Sequence, residues 1–132
     1  MKVAIFGLGR IGLPHALVSA NSGNTVYGID LNMKLTEALK AGRVPFNEAE
    51  LQHLLEKNIG RRFFVVNNLQ EASNAKIIII TVSTEKLDQS NIFNIIKDIV
   101  NCGLTGKTVI LRSTVPIGTT TQIKNYIESN II

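Results

Sequence analysis

The sequence predicts an α/β fold of the Rossmann-like kind: a doubly wound parallel sheet with helices on both faces and the strand order 3-2-1-4-5. Short β-branched runs alternate with stretches of helical periodicity along the whole chain, and parallel neighbours need such crossover helices. The run Ile77 to Ile80, with Val82, is apolar without alternation, as a strand covered on both faces requires. The first β-rich run passes directly into Gly7-Leu8-Gly9-Arg10-Ile11-Gly12, which predicts a strand, a tight turn and a helix start.

Lys2 to Phe6 reads as the first strand and Ile11 to Ala20 as the helix after it, stopped near Ser22-Gly23. Pro14 falls in its opening turn, where a missing N–H is tolerated. Thr25 to Ile29 is the second strand, ending at Asp30, and Leu31 to Lys40 is a second amphipathic stretch that closes at Ala41-Gly42. Past a loop holding Pro45, Glu48 to Lys57 sets Leu51, Leu54 and Leu55 at helical spacing, and Arg62 to Val66 is the third strand. Leu69 to Asn74 adds a helical turn, and Lys76 to Val82 is the fourth strand. Ser90 to Cys102 carries a broad apolar face of Ile92, Phe93, Ile95, Ile96, Ile99 and Val100 and ends at Gly103. Thr108 to Leu111 is the fifth strand and Gly118 to Glu128 the last helix. A six-stranded sheet of this kind would place another strand after Ile132, so the expectation is a sheet one strand short, whose exposed edge offers a route to oligomers.

A chain of 132 residues, 45% hydrophobic, can bury a core as one domain, residues 1–132. Disordered, collagen-like and disulfide-stapled classes are excluded. The net charge is +4, yet the basic residues are scattered singly apart from Arg61 and Arg62, so nucleic acid is not an expected partner. Cys102 has no second cysteine to pair with, and no Cys/His cluster offers a metal site. The apolar runs Val3 to Phe6 and Ile77 to Ile80 are far short of the roughly 20 residues that span a bilayer, and no signal-peptide pattern opens the chain. No membrane association is expected, and the expected compartment is the cytoplasm.

The GxGxxG spacing assigns each glycine its own task. Gly7 permits the turn, Gly9 removes a side chain where a pyrophosphate approaches the backbone, and Gly12 lets helix and strand pack closely. The phosphates would then meet free N–H groups around Arg10, Ile11 and Gly12 at the positive end of the helix. Asp30 ends the next strand 18 residues after Gly12, where a carboxylate accepts bonds from ribose hydroxyls and repels a 2′-phosphate. NAD is therefore expected in preference to NADP, with FAD and methyl-donor sites ranked below it. The bland reading of Asp30 is a cap for the following helix. The Arg10 side chain has two open readings, one towards the phosphates and one into solvent.

Beyond the fingerprint stand Gly12-Leu13-Pro14, Gly42-Arg43-Val44-Pro45-Phe46-Asn47-Glu48, Val82-Ser83-Thr84, and Arg112-Ser113-Thr114-Val115-Pro116-Ile117-Gly118-Thr119-Thr120. Together these resemble the N-terminal NAD-binding domain of the UDP-glucose/GDP-mannose dehydrogenase family, through nearly the whole chain. The resemblance implies two-step NAD-dependent oxidation of a nucleotide-linked sugar alcohol to the uronic acid, through a thiohemiacetal on a cysteine. It also implies a C-terminal half that supplies that cysteine and the sugar site. No catalytic residue is therefore assigned within this chain. Isolated, the chain is expected to bind NAD without turnover, and to meet a nucleotide sugar only together with that second domain.

Residue by residue, Gly7, Gly9 and Gly12 match the family's pyrophosphate loop and Asp30 its ribose acid. Lys34 resembles a basic residue flanking that ribose, against the plain reading of a solvated helix lysine. Val82, Ser83 and Thr84 stand where the family usually reads Val-Pro-Thr-Pro, with Ser83 for the first proline and Glu85 for the second. Ser113 and Thr114 resemble the family's Ser-Thr pair beside the nicotinamide, and helix capping is their physical alternative. Glu48 matches a family position and is otherwise a helix-start acid. Cys102 reads as a helix-end packing residue, and His15 and His53 as surface or half-buried helix residues. The alternative functions are a free-standing NAD-binding regulatory or interaction module and, more distantly, a relative of the hydroxyacid dehydrogenases.

Overall fold

β1 (Lys2–Phe6) lies at the centre of a five-stranded parallel sheet of order β3-β2-β1-β4-β5, with β2 at Thr25–Ile29, β3 at Phe63–Val65, β4 at Ile77–Ile80 and β5 at Thr108–Leu111. The computed structural model describes residues 1–130. Val3 pairs with Val26 on one side and Ile77 on the other, so β1 has a partner along both edges. The helices are α1 (Gly12–Asn21), α2 (Met33–Lys40), α3 (Ala49–Asn58), α4 (Ser90–Cys102) and α5 (Thr119–Asn130).

Two apolar layers flank the sheet, and β4 feeds both. Ile78 and Ile80 are buried with Ala4, Phe6, Ile92, Ile96, Ile99 and Ile123, which places α4 and α5 on that face. Ile77 and Ile79 pack against the opposite layer of Val3, Ile5, Leu13, Leu17, Leu51 and Leu55, which places α1 and α3 there. The period of two in a strand thus divides an unbroken isoleucine run between two cores. Burying a side chain of this size contributes roughly 1.5–3 kcal/mol.

The expected strand order is the observed one, while several boundaries move. The fourth strand stops at Ile80 rather than Val82, because both neighbours run out there: Phe6 of β1 and Leu111 of β5 are its last partners. α2 begins at Met33 rather than Leu31, since Asn32 is the N-cap and accepts the Leu35 N–H at 3.2 Å. The turn after β3 is a 3-10 segment, Leu69–Ala72, capped by Asn68. At the sheet edge, β5 keeps Thr108 and Ile110 exposed.

Candidate functional site

The loops at the carboxyl ends of β1, β2, β4 and β5 enclose a cleft of about 1190 Å³, at the point where the strand order reverses direction. Gly7, Gly9, Arg10, Ile11, Asp30, Val82, Ser83, Thr84, Ser113 and Thr114 all line it. Gly12 and Lys34 do not.

The three glycines occupy three different environments. Gly7, at φ +95°, lies flat on the Thr81–Val82 peptide, where an added Cβ would meet backbone atoms at 2.9 Å. A Cβ on Gly12 would fall 1.7 Å from the Gly7 carbonyl oxygen, so the helix start and the loop touch without room for a methyl group. Gly9 has nothing within 4 Å of its Cβ position and faces the cleft. Its missing side chain is therefore irrelevant to internal packing and matters only to an occupant.

Among the described residues, the backbone N–H groups of Gly9, Arg10, Ile11 and Gly12 donate to no internal acceptor, whereas Leu8 donates to Asp30 and Leu13 to the Gly9 carbonyl. α1 has no side-chain cap at Ile11. Unsatisfied donors at the positive end of a helix make a seat for an anion.

The Asp30 carboxylate accepts the Leu8 N–H at 2.7 Å through one oxygen and the Asn32 N–H at 2.8 Å through the other. It ties the β1 loop to the β2 loop and does not cap α2. Each oxygen keeps a lone pair for a ligand hydroxyl.

A second pair of ties joins the β4 and β5 loops. Ser113 Oγ donates to the Val82 carbonyl at 2.7 Å, and Thr84 Oγ1 to the Thr114 carbonyl at 2.5 Å. Neither Ser113 nor Thr114 caps α5, which starts at Thr119, whose hydroxyl meets Gln89 at 2.9 Å. Glu85 lies exposed on the cleft wall, and the next residue, Lys86, adopts φ +52°. Asp88 accepts from the amide and hydroxyl of Ser90 at the start of α4, and the hydroxyl followed by the amide holds its carboxyl below the usual value.

Arg10 does reach the cleft, and its guanidinium stacks over the Phe46 ring at 5.2 Å. Phe46 belongs to the loop after α2, which Gln52 clasps by accepting from the Val44 amide at 2.8 Å and donating to the Gly42 carbonyl at 2.7 Å. Lys34 faces a separate, shallower hollow beside Arg43 and Phe46. Glu48 stands at the N-cap of α3 without a side-chain cap bond.

Cys102 corrects an expectation, because it is exposed at the cleft wall rather than packed. At 100° per residue it falls roughly 90° around α4 from the buried stripe Ile92, Ile96 and Ile99. His15 and His53 are exposed. Sequence reasoning gave no site role to Thr81 or to the amide side chains of Asn67, Asn91 and Asn94, which line the cleft, nor to Phe46 and Gln52, which border the outer hollow. The run Asn91, Asn94, Asp98, Asn101 at helical spacing was the available signal for the α4 wall. Among the described residues there is no cluster of three metal-ligating side chains, and no helix is long and apolar enough to cross a membrane.

Residues 1–131 match the family described as "UDP-glucose/GDP-mannose dehydrogenase family, NAD binding domain". The chain is 32% identical to the UDP-glucose 6-dehydrogenase of Campylobacter jejuni, over all of this chain and 35% of that protein. The solved UDP-N-acetyl-D-mannosamine dehydrogenase of Pyrococcus horikoshii superposes with a TM-score of 0.90 at 28% identity, over 98% of this chain and 32% of that one. The GDP-mannose dehydrogenase of Pseudomonas aeruginosa, solved as a ternary complex, gives 0.85 at 27% identity, again over 98% and 32%. The chain thus spans about a third of the length of these relatives. On its sequence and on its fold alike, it belongs to the UDP-glucose/GDP-mannose dehydrogenase family, as the NAD-binding domain.

Proposed function

We propose that the cleft binds NAD, with the pyrophosphate on the free amides of Gly9 to Gly12 and the adenosine ribose on Asp30. Those four adjacent unsatisfied N–H groups carry the reading, because a dinucleotide supplies the negative charge that they and the helix dipole favour. The open Cβ position of Gly9 fits a phosphate drawn close to the backbone, and the Asp30 lone pairs fit ribose hydroxyls. Val82, Ser83, Thr84, Ser113 and Thr114 line the opposite end, where the nicotinamide would lie. Arg10, lifted onto Phe46, stands beside the phosphate seat as a screening cation. Lys34 flanks the ribose side at a distance set by α2, outside the cleft proper.

In the whole protein, NAD would accept hydride from a UDP- or GDP-linked sugar alcohol on its way to the uronic acid, within a polysaccharide precursor route in the cytoplasm. This chain contributes cofactor binding and orientation. The exposed Cys102 is not assigned as the nucleophile, since it lies on the α4 wall of the cleft, whereas Ser113 and Thr114 line the end assigned to the nicotinamide. The 132-residue chain alone would bind NAD and turn over no nucleotide sugar. Calorimetric titration with NAD and then NADP, followed by assays with several nucleotide sugars, tests this. Binding of NAD alone without turnover is the expected result, and silence towards both dinucleotides would overturn it.

A further inference from the structure

We infer that Thr81 is a positioning residue for the phosphate loop: its hydroxyl turns the Gly7 carbonyl away from the cleft and so leaves only N–H donors facing an anion. The inference rests on the reading of the cleft as a dinucleotide site.

Thr81 Oγ1 lies 2.8 Å from the Gly7 carbonyl oxygen and 2.9 Å from that of Phe6. One hydroxyl carries one proton, so the two carbonyls share it. Phe6 also receives the Thr81 N–H at 2.8 Å, whereas no backbone donor among the described residues reaches the Gly7 oxygen. Gly7 is buried, and an unpartnered buried carbonyl is costly, so the Thr81 hydroxyl satisfies an acceptor that the turn itself leaves open. Gly12 closes over the same place, since a Cβ there would lie 2.4 Å from the Thr81 hydroxyl as well as 1.7 Å from the Gly7 oxygen. The hydroxyl is thereby enclosed between the loop and the first turn of α1.

The electrostatic consequence concerns the sign of the dipole presented to the ligand. The Leu8 N–H of the same planar peptide donates to Asp30, so without the Thr81 bond the Gly7 oxygen has no donor and only the Asp30 tie resists its turning towards the cleft, where it would oppose a phosphate. With the bond, the carbonyl points inward and the run from Gly9 to Gly12 meets the anion unopposed. The side chain need not touch the ligand to do this.

The test compares Thr81→Val, which keeps the shape and removes the proton, with Thr81→Ser, which restores the hydroxyl. NAD and ADP-ribose affinities are measured by calorimetry and adenosine binding by NMR shifts. The expected result is a loss of about tenfold for NAD and ADP-ribose in Thr81→Val, unchanged adenosine binding, and recovery in Thr81→Ser. Thr81→Ala replaces the valine variant if that one fails to fold. Wild-type NAD affinity without the hydroxyl, or equal losses for adenosine and ADP-ribose, would overturn the inference. If the unmutated protein binds no dinucleotide, the functional reading fails, and amide hydrogen exchange at Gly7, Leu8 and Leu13 decides the matter separately. Faster exchange in Thr81→Val with recovery in Thr81→Ser supports the tie, and equal rates overturn it.

Discussion

The Leu8 amide and the Asp30 carboxylate meet at 2.7 Å, so the acid that ends β2 holds the loop that follows β1. The residue assigned to the ribose therefore also shapes the phosphate seat, and its removal has two effects. Asp30→Ala is expected to weaken NAD by about 1–3 kcal/mol and to lower the penalty against NADP, while the melting temperature falls. Parallel titrations with both cofactors, together with a thermal scan, measure this. Unchanged affinities for both would remove Asp30 from the site.

Gly9 and Gly12 respond oppositely to the same substitution. Gly9→Ala adds a methyl group to open space, so stability is expected to change by less than about 0.5 kcal/mol while NAD binding is lost. Gly12→Ala drives a methyl group into the Gly7 carbonyl and is expected to destabilise the fold by about 1–3 kcal/mol or more. Chemical denaturation separates the two, and retained NAD affinity in folded Gly9→Ala would contradict the placement of the phosphates.

Arg10 and Phe46 form a cation–π pair at an exposed position, worth about 0.5–1 kcal/mol. A double-mutant cycle with Arg10→Ala and Phe46→Leu is expected to return a coupling of that size in unfolding free energy. A coupling near zero would mean that the guanidinium is not held on the ring in solution.

Asp88 should titrate below an ordinary aspartate, because the Ser90 hydroxyl and amide both donate to its charged form. A depressed folded value means that its stabilising effect on the start of α4 is complete above the unfolded value of about 3.9. The effect is lost as pH falls through the folded value. Carboxyl carbon shifts followed against pH report the midpoint, which Ser90→Ala is expected to raise.

The arrangement of the sheet was legible because β-branched runs and helical periodicity alternate, and the isoleucine run admitted only a strand with two covered faces. The cleft was legible because a strand, GxGxxG and an acid after the next strand constrain one another locally. What escaped depends on register between distant segments. Thr81 looks like the end of a strand until β1 and β4 are aligned and its hydroxyl falls beneath Gly7. Lys34 is one turn past Asp30 in sequence, yet the Asn32 cap sets α2 so that it faces the outer hollow. Cys102 was misjudged because the buried stripe of α4 is narrower than its apolar composition.

The central position of β1 also dictates an order of assembly. Its register with β2 joins Val3 to Val26, while its register with β4 joins Val3 to Ile77, a closure about three times longer. Loop-closure entropy puts that second pairing at a disadvantage of about 1 kcal/mol, so β1 and β2 are expected to dock first, an order that pulsed hydrogen exchange during refolding would expose. A nascent chain that has not yet emerged to Thr81 already contains every glycine of the phosphate loop and the acid that restrains it. It has the loop's letters and the Asp30 tie before it has Thr81, the donor that closes on the Gly7 oxygen, which comes only with a strand from the other half of the sequence.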